Sequence, residues 1–158
     1  VYLREADDAR LTDDVMARLA AHEGVTTGPE IRERVLTLMP GLKERARTLV
    51  ELADNAAFLG RQVPLAFDAK AEKQLTPENT AMLGDLARDL AVVEPFDAAR
   101  IHAALHTFAD RHEMKLGKVA QPLRAALCGT TTSPGIDLTA QALGRDEVLA
   151  RIGAVQNG

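Results

Sequence analysis

Tryptophan is absent from this 158-residue chain, tyrosine occurs once and phenylalanine four times. A core built on stacked aromatics is therefore excluded, and the interior must be packed from Ala, Leu, Val, Ile and Met. Cysteine is scarce too. Cys128 stands alone, which rules out an internal disulfide framework and a multi-cysteine metal site and leaves a small buried apolar residue as its simplest role. Apolar runs stay as short as Ala103-Ala104-Leu105, too short for a bilayer span or a secretory segment, so no membrane partner and a cytoplasmic setting are expected. The chain lacks an initial Met, and its opening Val1-Tyr2-Leu3 reads as the interior of something longer. Positive charge is also lacking overall, with a net charge of −4, which argues against a surface that grips phosphate everywhere.

Distribution matters more than the total. Between Arg100 and Arg124 lie five Lys or Arg residues against two acids, a net of +3, and His102, His106 and His112 fall in the same window. Protonated histidines would add to its positive potential. Charge alone leaves a solvated helix face and a phosphate-facing one both open.

What is present in abundance is helix-forming: Ala, Leu, Arg, Glu and Asp dominate and strand-like alternation is missing, so an all-α fold is expected. Thr12 and Asp13 are placed to cap a first helix carrying Val15, Met16 and Leu19 and ending at Gly24. Gly28-Pro29 opens a second, with Ile31, Val35, Leu36 and Leu38 inward. After Pro40-Gly41 the spacing predicts a longer helix from Leu42 to Phe58. Residues 61–75, with Pro64 and a charged run but no sustained apolar stripe, read as a linker. Thr76-Pro77-Glu78 starts the second half, with Met82, Leu83, Leu86 and Leu90 at helical spacing. A helix from Pro95-Phe96-Asp97 is expected to break at Gly117. Pro122 then opens a short helix that Gly129 closes, and helices from Asp137 to Leu143 and from Asp146 to Val155 follow, divided by Gly144. The architecture expected is two small helical subdomains in series, residues 1–75 and 76–158.

Catalytic chemistry finds no foothold. The glycine clusters of phosphate-binding loops do not occur, nor does the Gly-x-Ser-x-Gly nucleophile elbow. His102 and His106 share a helix face at i, i+4, as zinc pairs do, but no third ligand can be placed, so no metal site is expected. Asp85, Asp89 and Glu94 read as a solvated face rather than an acid/base pair. No catalytic residue is assigned.

One segment departs from ordinary helix chemistry: Lys115 through Gly129 (KLGKVAQPLRAALCG), then Thr130 through Ile136 (TTTSPGI). Lys115 and Lys118 flank a glycine, and the N-terminus of a helix opened by Pro122 would present its positive dipole end with Arg124 projecting from it. The Thr/Ser/Pro/Gly loop offers hydroxyls and backbone groups suited to unstacked base edges, and arginine can stack or donate in bidentate fashion. The same string also suits a tight packing junction between helices. Residues alone leave the two readings even.

The string resembles the C-terminal anticodon-binding region of bacterial glutamyl-tRNA synthetases, with a pattern near KLGxxAQPLRxALxG, a short spacer and S/T-P-G. Tyr2-Leu3-Arg4-Glu5, the stretch from Glu44 to Leu52 (ERARTLVEL) and the stretch from Leu143 to Ile152 (LGRDEVLARI) resemble the same family in order. The resemblance thus extends over essentially the whole chain, and is weakest from Arg61 to Val93. It implies an all-α cage of two anticodon-binding subdomains that grips the anticodon loop of tRNA(Glu) and splays its bases. By position, Arg45 is similar to a residue that contacts the third anticodon base and helps tell tRNA(Glu) from tRNA(Gln), with Arg47 as the alternative if the register on Thr48-Leu49 slips. Arg124, Ser133 and Ile136 match positions that contact anticodon-loop nucleotides, and His106 matches one that is basic in some relatives. The resemblance implies no cofactor and no catalysis for this chain. ATP, Mg²⁺ and the joining of glutamate to tRNA belong to a catalytic domain with no counterpart here. A monomer is expected, with tRNA(Glu), or also tRNA(Gln), as partner and no DNA. The competing reading is a helical protein-interaction module that docks a synthetase or a tRNA-processing protein.

Overall fold

The computed structural model of the chain describes residues 7–157. The resemblance carried by Tyr2-Leu3-Arg4-Glu5 lies outside them. Every element named below is helical, which bears out the all-α expectation, and the single strand-like feature among the described residues is an isolated antiparallel bridge between Val25 and Arg61.

Contacts divide the chain after Gln62. The first unit contains α1 (Asp8–Leu19), α2 (Pro29–Glu44), α3 (Leu49–Ala56) and a 3₁₀ turn at Ala57–Gly60. Its core is Val15 and Leu19 from α1, Val35, Leu38, Met39 and Leu42 from α2, and Leu52 and Ala56 from α3, all fully buried. Two boundaries differ from those the sequence predicts. Thr12 lies inside α1, fully buried, with its hydroxyl donating to the Asp8 carbonyl at 2.7 Å; that internal bond lets a potential cap serve as a core residue. Helix α2 runs straight through Pro40-Gly41. Proline there forfeits one backbone bond, at a typical cost of ~3 kcal/mol, but Leu38, Met39 and Leu42 are fully buried around it and their packing outweighs that cost. The break falls instead at residues 45–48. Thr48 caps α3 by accepting from the Glu51 N–H at 3.1 Å.

His22 ties the turn after α1 to α3. One ring nitrogen meets Asp54 Oδ1 at 3.1 Å and the other the Arg18 carbonyl at 3.0 Å. Both partners only accept, so only the imidazolium satisfies both. Its pKa is accordingly raised above 6.5, first by the Asp54 hydrogen bond and then by the Arg18 carbonyl. A raised folded value means that the contact stabilises fully below about pH 6.5 and is lost as pH rises through the folded value. Thermal unfolding of the chain is therefore expected to drop from about pH 6 to about pH 8 more than unfolding of a His22→Gln variant. An identical pH profile for the two would remove the imidazolium from the account.

The second unit contains α4 (Ala69–Gln74), α5 (Pro77–Ala91), α6 (Ala98–Arg111), α7 (Leu116–Cys128), α8 (Ile136–Leu143) and α9 (Arg145–Asn157). Helix α7 lies at its centre, in contact with α4, α5, α6, α8 and α9. Leu86, Leu90, Ile101, Leu105, Phe108, Leu123, Leu127, Val148 and Ile152 are fully buried there. Thr76 caps α5 as expected, accepting from Asn79 N–H at 3.1 Å. Of residues 61–75, read above as a linker closing the first half, 63–75 pack with this unit instead. Asp68 caps α4 by accepting from Ala71 N–H at 2.8 Å, Ala71 is fully buried, and Asp68 N–H donates to the Gly129 carbonyl at 3.0 Å. Helix α4 hides one small residue rather than a stripe, so periodicity misses it.

The α6–α7 junction also shifts. Glu113, at φ 54°, takes the left-handed position, and the Met114 N–H returns to the Ala109 carbonyl at 2.8 Å, the bond of a helix-ending Schellman turn. A glutamate usually avoids that conformation, which is why local propensity points to Gly117 as the break instead. Gly117 and Pro122 are both inside α7. Gly129 ends it at φ +76°, where an added Cβ would meet the Ala66 carbonyl oxygen at 2.5 Å.

Candidate nucleic-acid interface

The C-terminus of α7 and the loop after it form a polar cluster joined by several hydrogen bonds, where the sequence places its candidate RNA contacts. Arg124, half-buried on α7, donates from Nε to Ser133 Oγ at 2.8 Å. Ser133 is buried and its hydroxyl donates to the Pro134 carbonyl at 2.8 Å. Thr139, fully buried on α8, donates to the same carbonyl at 3.2 Å. Ile136, the first residue of α8, is only 8% exposed, so its apolar mass mainly anchors the helix start and leaves a narrow edge to solvent. Cys128 packs beneath; burial pushes its thiol up to about 12, with the neighbouring Ser133 and the charges of Arg151 and Arg124 pulling the other way.

Arg124 and Ser133, paired only by family pattern in the sequence, are thus in direct contact. Sequence reasoning missed Thr139. A threonine in an amphipathic helix looks like an ordinary boundary residue, and only its bond back to Pro134 marks it.

Other expected contacts are more dispersed. Lys115 is the N-cap residue of α7 and Lys118 lies in its first turn, both exposed. Nine residues of helix place Lys115 about 13 Å along the axis from Arg124. The positive helix end therefore belongs to Lys115–Lys118, because Pro122 is a buried interior residue, and Arg124 does not project from a helix N-terminus. His106 is exposed on α6, its ring edge-on to His102 with centroids 4.6 Å apart, and His102 Nδ1 is 3.8 Å from Asp137 Oδ2 at the start of α8. The positive window thins locally: Arg100 pairs with Asp97 at 2.6 Å and Arg111 with Asp89 at 2.9 Å. Lys115 and Lys118 make no ion pair among the described residues, and they carry much of the remaining charge.

In the first unit, Arg45 and Arg47 are exposed on the link between α2 and α3 rather than on a helix. The Arg45 N–H closes the last turn of α2 on the Leu42 carbonyl at 3.1 Å. A guanidinium on such a bend can reach outward without competing with a helix face for space.

Comparison with known proteins agrees with this reading of the fold. Residues 10–156 match the family described as anticodon binding domain. Glutamate–tRNA ligase 1 of Gluconacetobacter diazotrophicus is 71% identical over 155 residues, covering 98% of this chain and 33% of the relative. The corresponding ligase of Gluconobacter oxydans is 58% identical over the same share of each. The chain therefore spans about a third of the length of these relatives. A crystal structure of a glutamate–tRNA ligase from Elizabethkingia meningosepticum superposes with a TM-score of 0.81 over 99% of this chain and 30% of that one, at 24% identity, which supports the fold. With its all-helical architecture and a family match over residues 10–156, the chain belongs to the anticodon binding domain family, in the form found in bacterial glutamate–tRNA ligases.

Proposed function

We propose that this chain recognises the anticodon loop of tRNA(Glu) for a longer glutamate–tRNA ligase, the two units serving as its two anticodon-binding subdomains. The observation that carries the reading is the Arg124–Ser133 pair at 2.8 Å, in a loop whose Ser133 hydroxyl and Pro134 carbonyl are fixed by hydrogen bonds of their own. Recognition of unpaired bases needs donors held in place before the RNA arrives, since ordering them on binding would cost affinity. Arg124 would donate to a base edge or stack on it, with Ser133 and Ile136 shaping the contact. Lys115, Lys118 and His106 would meet backbone phosphates. Arg45, or Arg47 beside it, would read the third anticodon base, and with it the choice between tRNA(Glu) and tRNA(Gln). Glutamate activation, with its ATP and Mg²⁺, is assigned to the remainder of the ligase, and a cytoplasmic monomer completes the proposal.

Titration of a tRNA(Glu) transcript, and of a variant changed at the third anticodon position, at two salt concentrations tests this. Arg124→Ala and Arg45→Ala are each expected to weaken binding of the native transcript by about 10- to 100-fold. Lys118→Ala is expected to weaken both transcripts alike and to lower the salt slope by about one. Affinity that ignores the anticodon at both salts would overturn the assignment.

A further inference from the structure

Arg124 is an unusual place to find a recognition side chain, because its Nε–H is already committed inside the protein. The acceptor, Ser133 Oγ, is itself committed: its single proton goes to the Pro134 carbonyl at 2.8 Å, so its lone pairs must face Arg124 Nε, also at 2.8 Å. Neither role can be exchanged. A carbonyl only accepts and a guanidinium only donates, so the hydroxyl between them has one orientation. The Pro134 carbonyl has a second lone pair, and Thr139, fully buried on α8, fills it from Oγ1 at 3.2 Å. The Thr139 N–H also returns to the Gly135 carbonyl at 2.9 Å. A chain of bonds thus runs from the interior of α8 through the 133–135 turn to the guanidinium.

We propose that Ser133 and Thr139 are positioning residues for anticodon selectivity, whose hydroxyls hold the Arg124 guanidinium in one plane. The inference rests on the RNA-binding reading above and adds to it the source of discrimination. A planar, five-donor group distinguishes one base edge from another only if its plane is fixed. A guanidinium free to rotate about its long side chain would keep its attraction for phosphate and lose its preference among bases. Ser133, at 7% exposure, has its hydroxyl turned inward, and Thr139 has no exposed surface from which to reach a ligand.

The test compares binding of the native tRNA(Glu) transcript with one altered in the anticodon, for the full chain carrying Ser133→Ala, Ser133→Thr, Thr139→Val, Thr139→Ser or Arg124→Ala, alone and combined. Ser133→Ala and Thr139→Val are expected to cut the ratio of the two affinities by about tenfold while binding of the altered transcript stays within about twofold. Ser133→Thr and Thr139→Ser, which keep the hydroxyl, are expected to retain the ratio. In an Arg124→Ala background the first two changes are expected to have no further effect, as double-mutant coupling requires. If Arg124→Ala lowers selectivity but Ser133→Ala and Thr139→Val do not, or if their losses simply add to it, the positioning role is overturned and the RNA-binding reading stands. If Arg124→Ala leaves selectivity intact, the reading itself fails and the positioning role fails with it. A measurement without RNA guards against variants that merely unfold: the Arg124 Nε–H signal in NMR is expected to exchange slowly with solvent in the native chain and in Thr139→Ser, and rapidly in Ser133→Ala. Equal exchange in all three would overturn the proposal.

Discussion

Arg151→Met lowers the unfolding free energy of the second unit by about 3–5 kcal/mol, the usual range for breaking a buried ion pair by removing one partner. Among the described residues Arg151 is the largest side chain buried to this degree, 1% exposed. Its Nε donates to Glu147 Oε2 at 2.8 Å, one turn earlier on α9, and its Nη1 donates to the Leu127 carbonyl at 2.6 Å, near the C-terminus of α7. That carbonyl is among the last of the helix, where no intrahelical N–H remains and where the dipole favours a cation. Methionine fills most of the volume but leaves the carbonyl and a carboxylate that is 24% exposed without their donor. The figure belongs near the lower end of the range because water can reach Glu147. Denaturant titration measures it, and Arg151→Met combined with Glu147→Leu is expected to recover part of the loss by removing the carboxylate that Arg151 served. A midpoint unmoved by Arg151→Met would show that the guanidinium merely fills space.

A second large effect concerns thiol chemistry. The Cys128 thiol is pushed from its ordinary 9.0 up to about 12 by burial. Thiolate is the reactive form, so at pH 8 its fraction in the folded chain is about a thousandfold below that of an unfolded thiol, before restricted access is counted. Labelling by a maleimide is therefore expected to report opening of the second unit rather than direct attack. Its rate should rise steeply with denaturant and should rise in Arg151→Met by the same factor as the unfolded population. Labelling at the rate of a free peptide thiol in native buffer would place Cys128 on the surface. The linkage has a definite sign. The folded value is raised, so the buried neutral thiol contributes fully below about pH 9, and that contribution is lost as pH climbs from there towards 12.

Much of the fold was legible because amphipathic spacing reports directly on burial. Leu83, Leu86 and Leu90, or Ile101, Leu105 and Phe108, mark their helices without help. What escaped was punctuation. Pro40, Gly41, Gly117 and Pro122 are read as breaks from local propensity, yet tertiary packing keeps all four within helices, while the true breaks use Arg45–Thr48 and Glu113. Local preferences of a few kcal/mol or less yield to a well-filled core. The boundary expected at residue 75 falls after Gln62 for a related reason, since α4 contributes one alanine and a cap rather than a stripe. Of the candidate interface, the family pattern pointed to Arg124 and Ser133. Their mutual contact, the brace from Thr139 and the displacement of the positive helix end to Lys115 are properties of three-dimensional placement that spacing cannot encode.

Gly129 has a bearing on how this surface can change over evolutionary time. Its carbonyl is held by the Asp68 N–H and its missing Cβ lets Ala66 approach, which fastens the near end of the loop as Thr139 fastens the far end through Pro134. Between the two anchors lie Thr130, Thr131, Thr132 and Ser133; Ser133 is itself tied to the Pro134 carbonyl, and the bond within the three threonines, Thr130 Oγ1 to the Thr132 carbonyl at 2.8 Å, is local. Insertions and deletions should therefore collect in those three residues. The loop has an adjustable tip on a fixed clasp, so its length can drift while the orientation of Arg124 is inherited unchanged.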